Sequence, residues 1–405
     1  MHRVTARYCF LLVATFCVLS SSSAVAADDI AALREKAEKG DAEAQVFLGV
    51  KYGLGIGVQK DEREAIKWYR QAAEQNQGYA QFLLGVAFRF GRGVPQDSEE
   101  AFGWYQKAAE QGLVQAQFTL GNLFRRGDGV RKDSQEAVKW YRKAAEQGDG
   151  ASQFNLGLCY VTGNGVPRDA REGANWYQKA AKQGVVAAQY SLGQLFNLGT
   201  GVRKDKQEGV KWYRKAAEQG LPEAQFNLGV CYLRGQGVPN DDLEGIKWFR
   251  KAAQHGLAKA QNNLGTLFRT GDAVQKDSKE AVKWYQKAAE QGDVEGQINL
   301  GLCYVTGTGV PKDFVSAYAW WHLAAAQGDK NAADVRSRVG SRMTAKQIAE
   351  AQRLSGQLAV QITKVKRVNT RGSGLSSRRA SMASTGTGFF VTNDGYFVTN
   401  AHVVE

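Results

Sequence analysis

An all-α solenoid is the fold class that the sequence predicts. Tryptophan recurs every 36 residues, a Leu-Gly pair keeps the same step, and so does an Asp seven residues before each Trp. No insertion breaks this register over eight copies. A unit of this length cannot bury its apolar face alone, so successive units must stack on one another. The repeating tryptophans are Trp68, Trp104, Trp140, Trp176, Trp212, Trp248, Trp284 and Trp320.

The second half of each unit predicts an amphipathic helix. In the first copy Ala65, Trp68 and Tyr69 fall at i, i+3 and i+4, which places them on one apolar face. Asp61 followed by Glu64 is typical of an N-terminal capping box, in which each side chain bonds the other residue's backbone N–H. The pattern predicts a helix that begins just after Asp61.

The first half of each unit predicts a second helix with a glycine inside it. Ala44, Leu48 and Tyr52 form an apolar stripe, and the position of Tyr52 is aromatic in every copy. Gly49 lies within this helix, where glycine costs about 1 kcal/mol relative to Ala. Its recurrence predicts that a neighbouring backbone or aromatic ring passes too close for a Cβ. A tight Gly-rich loop, such as 91–95, joins the two helices.

These motifs, A-Q-x-x-L-G-x-x-[YF] followed by G-x-G-V-x-x-D-x-x-E-A-x-x-W-[YF]-x-x-A-A, resemble the Sel1-like repeat, a relative of the tetratricopeptide repeat. The resemblance covers roughly residues 30–328. It implies an α-solenoid with a right-handed superhelix of helix-turn-helix units, in which the first helices line the concave surface. It also implies a protein or peptide partner on that surface.

The N-terminus is typical of a secretory signal peptide. Arg3 and Arg7 supply the positive region, 8–19 is apolar, and 24–26 reads Ala-Val-Ala, a signal-peptidase site. An uncleaved anchor is the alternative, but it needs about 20 apolar residues. We therefore interpret residues 1–26 as a signal peptide and expect a periplasmic or secreted protein without a transmembrane span. Residues 27–328 then hold the eight repeats.

Two further segments follow the repeats. Residues 329–362 predict a C-terminal helical cap, because Thr344 and Gln347 fit a helix start and the segment is similar to those that commonly close Sel1-like arrays. Residues 363–384 are rich in Ser, Gly and basic side chains, which predicts a solvated linker. The bases could attract anionic lipid, glycan or nucleic acid, but no aromatic residues alternate with them, so a specific nucleic-acid partner is not expected.

The residue pattern changes again at 385–405. They alternate β-branched and aromatic residues around Asn393-Asp394-Gly395, which predicts a hairpin. This stretch resembles the start of a Deg-type trypsin-like serine protease domain, and 399–404, Thr-Asn-Ala-His-Val-Val, matches its histidine motif. The resemblance implies that His402 is the general base of a triad. The Asp and Ser of that triad are absent, so the chain as given is not expected to hydrolyse peptides.

A polar ladder on the first helices is the candidate binding site. The residue before the repeating Leu is polar in six copies, and side-chain amides at one-repeat spacing could bond an extended peptide. The alternative, which is commoner for buried amides, is that they bond neighbouring helices. The ladder consists of Asn155, Asn227, Asn263 and Asn299, with Thr119 and Ser191 at the equivalent positions of other copies.

No cofactor or metal site is expected. Cys159, Cys231 and Cys303 share one repeat position two repeats apart, too far for a disulfide and without metal-ligand spacing. His255 and His322 each stand alone, which favours structural roles.

Two functions stay open. One is an exported interaction scaffold that binds a protein, peptide or cell-envelope component. The other is the substrate-recruiting part of a longer solenoid-protease. On this hypothesis these residues are either a fragment of that protease or a truncated gene product.

Overall fold

The structure, a computed structural model, describes residues 27–272, 274–380, 389–391 and 397–399. The predicted signal peptide at 1–26 and His402 lie outside the described residues. Nineteen helices cover most of the described chain. They comprise an N-terminal helix, eight helix pairs and two C-terminal helices, which confirms the prediction of an all-α solenoid.

Helix α1 spans Ala27–Glu38 and precedes the pairs. The first helices of the eight pairs are α2 (Ala42–Leu54), α4 (Gly78–Phe90), α6 (Val114–Arg126), α8 (Gly150–Thr162), α10 (Val186–Leu198), α12 (Pro222–Leu233), α14 (Ala258–Thr270) and α16 (Val294–Thr306). The second helices are α3 (Glu62–Glu74), α5 (Ser98–Glu110), α7 (Ser134–Glu146), α9 (Ala170–Lys182), α11 (Lys206–Glu218), α13 (Asp242–Gln254), α15 (Ser278–Glu290) and α17 (Phe314–Ala326). Helices α18 (Lys330–Gly340) and α19 (Ala345–Ala380) follow them.

The described helices form two compact units. One unit extends to Leu192 and includes Thr200–Arg203, and the other comprises Gly193–Gly199 and Lys204–Ala380. In the first unit α6 packs against α7 of its own repeat and against α5 of the repeat before it, and in the second unit α14 packs likewise against α15 and α13. Each unit is thus a stack of helix pairs joined to their neighbours in sequence.

The Asp before each second helix caps it, as the sequence predicts, but the capping box is incomplete. The Asp61 carboxylate accepts hydrogen bonds from the backbone N–H groups of Arg63 and Glu64, at 2.9 and 3.0 Å. Its own backbone N–H donates to the carbonyl of Tyr52 at 2.9 Å. Glu64 has therefore no N–H to accept from and pairs with Lys67 at 2.7 Å instead. The second bond of the predicted capping box, from the Asp61 N–H to the Glu64 side chain, is therefore absent, and that part of the prediction was wrong.

The glycine inside each first helix lies against an aromatic ring of the paired second helix. A Cβ placed on Gly49 would lie 2.6 Å from Cε1 of Tyr69, far inside van der Waals contact. The same approach occurs in all eight pairs, with Trp321 as the ring in the last of them. The prediction of a close neighbour at this glycine is confirmed, and the absent Cβ sets how closely the two helices approach.

The Gly-rich loop also connects one repeat to the one before it. Gly91 ends helix α4 in the left-handed conformation, with φ of 65°. Gly93 has φ of 67°, and a Cβ on it would lie 2.3 Å from the carbonyl oxygen of Glu62 in the preceding repeat. The first glycine is thus needed to terminate a helix and the second to let the loop approach its neighbour.

One helix covers the N-terminal end of the first unit, and another covers the C-terminal end of the second unit. At the N-terminus, Leu33 and Ala37 of α1 pack in one cluster with Leu48 and the partly buried Trp68, so α1 stands where a preceding second helix would stand. At the C-terminus, Ile362 of α19 is buried in one cluster with Trp320 of the last repeat. Each of these two ends is thus closed by a helix that is not part of a full pair.

Helix α19 begins where the sequence predicts and ends much later. Thr344 and Gln347 form a complete capping box: the Thr344 N–H donates to the Gln347 side chain at 2.9 Å, and the Gln347 N–H donates to Oγ1 of Thr344 at 3.3 Å. The helix then continues to Ala380. The linker predicted at 363–384 is therefore helical over most of its length. Its lysines and arginines are good helix formers, and extending an existing helix is much easier than starting one.

Two short strands lie near the C-terminus. Strand β1 spans Phe389–Val391 and β2 spans Phe397–Thr399, and they pair antiparallel with Phe389 opposite Thr399. This pairing agrees with the predicted hairpin. The turn residues between the strands lie outside the described residues.

We predict opposite effects for alanine at two helical glycines. In Gly121→Ala the new Cβ would lie 2.5 Å from Cε1 of Tyr141, so the free energy of unfolding should fall by about 1–3 kcal/mol. Gly103 has no neighbouring atom within 4 Å, so Gly103→Ala should raise it by up to ~1 kcal/mol. Urea unfolding followed by circular dichroism measures both. Equal effects in the two variants would contradict the account of the glycine–ring contact.

Candidate interaction surface

The predicted polar ladder lies on a partly exposed face of the first helices. On α8, Asn155 is half-buried, Leu158 is 41% exposed and Thr162 is exposed, and the three fall at i, i+3 and i+7. We call these three residues, together with their equivalents on α16 and with Asn263 on α14, the first-helix face. The equivalents are Asn299, Leu302 and Thr306, of which Leu302 is also 41% exposed. An amide, an apolar side chain and a hydroxyl thus stand side by side in both units.

The four ladder amides have different surroundings. Asn299 donates to Oδ1 of Asn262 at 2.8 Å, and the buried Asn262 donates in turn to Glu295 at 3.2 Å. Asn227 is half-buried. The side-chain amides of Asn155 and Asn263, also half-buried, have no hydrogen-bond partner among the residues that the structure describes. Asn299 therefore belongs to a network between neighbouring helices, whereas Asn155 and Asn263 have hydrogen-bonding capacity to spare.

A second, fully buried amide ladder lies next to this face. The Gln of the A-Q-x-x-L-G motif donates from Nε2 to the carbonyl oxygen of an Ala eight residues earlier, at the end of the preceding second helix. Gln153, for example, is 5% exposed and bonds Ala145 at 3.1 Å. The ladder comprises Gln45, Gln81, Gln117, Gln153, Gln189, Gln225, Gln261 and Gln297.

The other end of this amide is bonded too. Oε1 of Gln153 accepts from Gln183, 30 residues later, at 2.8 Å, and Gln183 also donates to the carbonyl of Gly148 at 3.0 Å. In the sixth repeat His255 stands where the other repeats have this later Gln, and its Nδ1 lies 2.9 Å from Oε1 of Gln225. Because Oε1 can only accept, Nδ1 carries the proton. His255 is therefore a structural residue, as the sequence suggests.

Buried tyrosines lie beneath the face of the first helices. The Tyr141 hydroxyl donates to Oδ1 of Asn122 at 2.9 Å and accepts from Nε of Arg125 at 3.2 Å. Burial raises the pKa of Tyr141 to about 12, and the neighbouring Arg125 opposes that rise only in part. The hydroxyl therefore stays protonated at physiological pH. It positions side chains and does not act as a base.

Burial governs the chemistry of Cys159, Cys231 and His322. Cys159 and Cys231 are free and buried, and burial raises the pKa of each thiol to about 11, so both stay protonated and unreactive near neutral pH. Burial and the neighbouring Arg336 lower the pKa of His322. In the part of the chain that the structure describes, no group of His, Cys, Asp or Glu could hold a metal ion.

Six of the second helices carry a lysine over their repeating tryptophan. In repeats 2 to 7 the lysine three residues after the Trp lies over the indole ring, with Nζ 3.9 to 4.3 Å from the ring centre. Lys143 over Trp140 is one of these cation–π pairs, at 4.1 Å. Lys139 on the same helix pairs with Glu136. These lysines contact side chains of their own helix and therefore stabilise the surface of that helix.

Comparison with known proteins identifies the repeats. The Sel1 repeat matches eight adjoining segments of the chain, at residues 42–77, 78–113, 114–149, 150–185, 186–221, 222–257, 258–293 and 294–329. These segments coincide with the eight helix pairs. The chain therefore belongs to the Sel1 repeat family.

Two solved structures resemble the chain over most of its length. A Sel1 repeat protein from Oxalobacter formigenes is 33% identical, with a TM-score of 0.65, and the match covers 80% of this chain and 92% of that protein. A protective antigen present in uropathogenic Escherichia coli strains, described as displaying an SLR fold, is 30% identical, with a TM-score of 0.52. That match covers 86% of this chain and 97% of the antigen. The comparison with curated proteins gives no match.

The described helices include none with the length and hydropathy needed to cross a membrane.

Proposed function

We propose that this chain is an exported scaffold that binds a protein or peptide through its first-helix face. Membership of the Sel1 repeat family is consistent with a protein-interaction scaffold. Export is proposed from the sequence pattern at 1–26, which has the charged, apolar and small-residue regions of a signal peptide. The partner could equally be a component of the cell envelope that presents peptide-like groups.

One observation carries the choice of surface. Asn155 presents a half-buried amide without a hydrogen-bond partner among the described residues, next to Leu158, which is 41% exposed. An extended peptide can satisfy such an amide through its backbone, while an apolar side chain of the peptide covers the leucine. Asn263 offers a second amide of the same kind in the other unit.

A second candidate function rests on the C-terminal segment. The antiparallel pairing of 389–391 with 397–399 agrees with a hairpin that leads into the histidine motif at 399–404. On this hypothesis the repeats present substrates to a trypsin-like endopeptidase, with His402 as its general base. Reading the gene beyond the codon for Glu405 discriminates between the candidates: an open frame with an Asp and then Gly-x-Ser-Gly favours the protease, and a stop codon favours the scaffold alone.

We predict that Asn155→Ala combined with Asn263→Ala abolishes partner capture without loss of stability. Neither side chain has a hydrogen bond to lose in the described structure, so the free energy of unfolding should change by less than ~0.5 kcal/mol. Cross-linking in the native host, followed by affinity purification, measures capture. Asn262→Ala is the control for structural damage, because the buried Asn262 bonds Asn299 and Glu295 and its loss should lower stability. Capture that persists in the double variant would place the binding surface elsewhere.

We predict that the mature chain begins at Ala27 or Asp28. N-terminal sequencing of protein recovered from the periplasm or the medium tests this prediction. Substituting the small residues Ala24 and Ala26 with Asp should block cleavage, because signal peptidases require small side chains there. An intact Met1 on protein recovered from the cytoplasm would contradict export.

A further inference from the structure

The loop after α8 contains an Asn-Gly pair, the only one in the sequence. Gly163 ends the helix, and the exposed Asn164 and then Gly165 follow it. The backbone N–H of Asn164 donates to the carbonyl of Cys159 at 3.1 Å, whereas the N–H of Gly165 donates no hydrogen bond within the described part of the chain. A side-chain amide is thus followed by an unbonded backbone nitrogen, and glycine has no side chain to hinder the approach of that nitrogen.

The preceding repeat carries an aspartate at this position. Asp128 lies 36 residues before Asn164, and its N–H donates to the carbonyl of Leu123 at 3.2 Å, as that of Asn164 does to Cys159. Oδ2 of Asp128 accepts from Nη2 of Arg89 at 2.8 Å. Arg89 is at the end of α4, one repeat earlier, so this ion pair joins a loop to the first helix of the preceding repeat.

The arginine needed for the same ion pair at Asn164 is present. Arg125 occupies on α6 the position that Arg89 occupies on α4. It is half-buried and donates from Nε to the Tyr141 hydroxyl at 3.2 Å, and its two Nη groups have no hydrogen-bond partner in the ranges that the structure describes. Burial raises the pKa of the Cys159 thiol, and the charge of Arg125 opposes that rise. Arg125 therefore lies near the residue whose carbonyl binds Asn164.

The other charged groups beside this loop are already engaged. The carboxylates of Asp133 and Asp169 each accept two backbone N–H bonds at the start of a second helix. Glu136 forms an ion pair within its own helix. Arg168 donates from Nε to a carbonyl oxygen of α8 at 3.1 Å. None of these three carboxylates pairs with Arg125 in the described structure.

We propose that Asn164 is a deamidation site and that the aspartate formed there pairs with Arg125. The backbone nitrogen of Gly165 forms a bond to Cγ of Asn164, and the side-chain nitrogen leaves as ammonia with the proton of that backbone amide. A succinimide ring remains, and water, the only co-reactant, opens it. Asparagine is a thermolabile residue in general, and the inference is independent of the proposed binding function.

The two products of ring opening have opposite effects on the loop. Addition of water at Cγ gives aspartate, which keeps the backbone of the loop and supplies the carboxylate that Asp128 supplies one repeat earlier. Addition at the backbone carbonyl gives isoaspartate, which lengthens the main chain by one carbon. The loop has no room for that carbon, because a Cβ on Gly165 would already lie 2.1 Å from the carbonyl oxygen of Ser134.

Peptide mass spectrometry of the full chain tests the modification. During incubation in mildly alkaline buffer, the peptide that contains Asn164 should exchange its amide for a carboxyl group, while Asn155, followed by Leu156, keeps its amide. Asn164→Thr should abolish the change, and the equivalent positions of two other repeats, Thr200 and Thr308, show that the loop accepts threonine. Loss of the amide at Asn164 no faster than at Asn155 would overturn the proposal.

A double-mutant cycle tests the pairing with Arg125. Asn164→Asp should lower the equilibrium constant of unfolding in urea about twofold to fivefold, and the same substitution in the Arg125→Ala background should leave that constant unchanged. Thr308→Asp is the matched case and should give a similar gain, because Arg269 stands opposite it and bonds Tyr285 as Arg125 bonds Tyr141. An equal gain with and without Arg125, or no gain at either position, would overturn the pairing.

Discussion

The buried glutamine of each first helix is the interaction on which the stacking of repeats depends. A side-chain amide out of water is costly unless all its hydrogen-bonding groups are satisfied. Gln153 meets this condition because Ala145, in the last turn of the preceding helix, offers its carbonyl oxygen and Gln183 of the same repeat donates to Oε1. Both distances in sequence, eight and 30 residues, are then fixed. An insertion of one residue on either side would leave a buried amide unpaired, which is a physical reason for the unbroken 36-residue step.

The contacts that build the stack leave two surfaces free to vary. The glutamines, the glycine–ring contacts and the Asp caps recur in nearly every repeat, because each is needed wherever a helix pair forms. The outward residues of the first helices and the loop edges are not used in this way. Differences among repeats concentrate there, as with Leu158 against the buried Val86, or Arg126 against Thr162. A solenoid can thus keep one interior and present a different surface at each repeat.

Periodicity predicted most of the fold, and the errors have identifiable causes. The helix pairs, the close neighbour of Gly49 and the start of α19 at Thr344 all follow from spacing and residue type. The capping box at Asp61 was half wrong because a carbonyl in the preceding helix, that of Tyr52, takes the N–H that the box needs. Local sequence does not reveal such a long-range acceptor. The linker predicted after 362 is helical as far as Ala380. The prediction was wrong there because composition alone cannot tell a solvated helix from a coil.

The candidate site was less accessible to sequence reasoning than the fold. The asparagines were visible as a polar ladder, but only the structure separates Asn299, which bonds Asn262, from Asn155. The sequence analysis missed the glutamine ladder, although a polar residue repeated as the second position of A-Q-x-x-L-G was a signal that could have revealed it.

The most direct test of the stacking account is a double-mutant cycle on Gln153 and Gln183. Gln153→Leu removes the bonds to Ala145 and Gln183 while it keeps an apolar volume in place, and the free energy of unfolding should fall by about 1–3 kcal/mol. Combined with Gln183→Ala, the two losses should be less than additive, and hydrogen exchange should increase in α7, α8 and α9 together. Gln106→Leu, at an exposed amide of α5, is the control and should change little. Additive losses, or stability equal to that of the unchanged chain, would contradict the claim that this buried amide holds neighbouring repeats together.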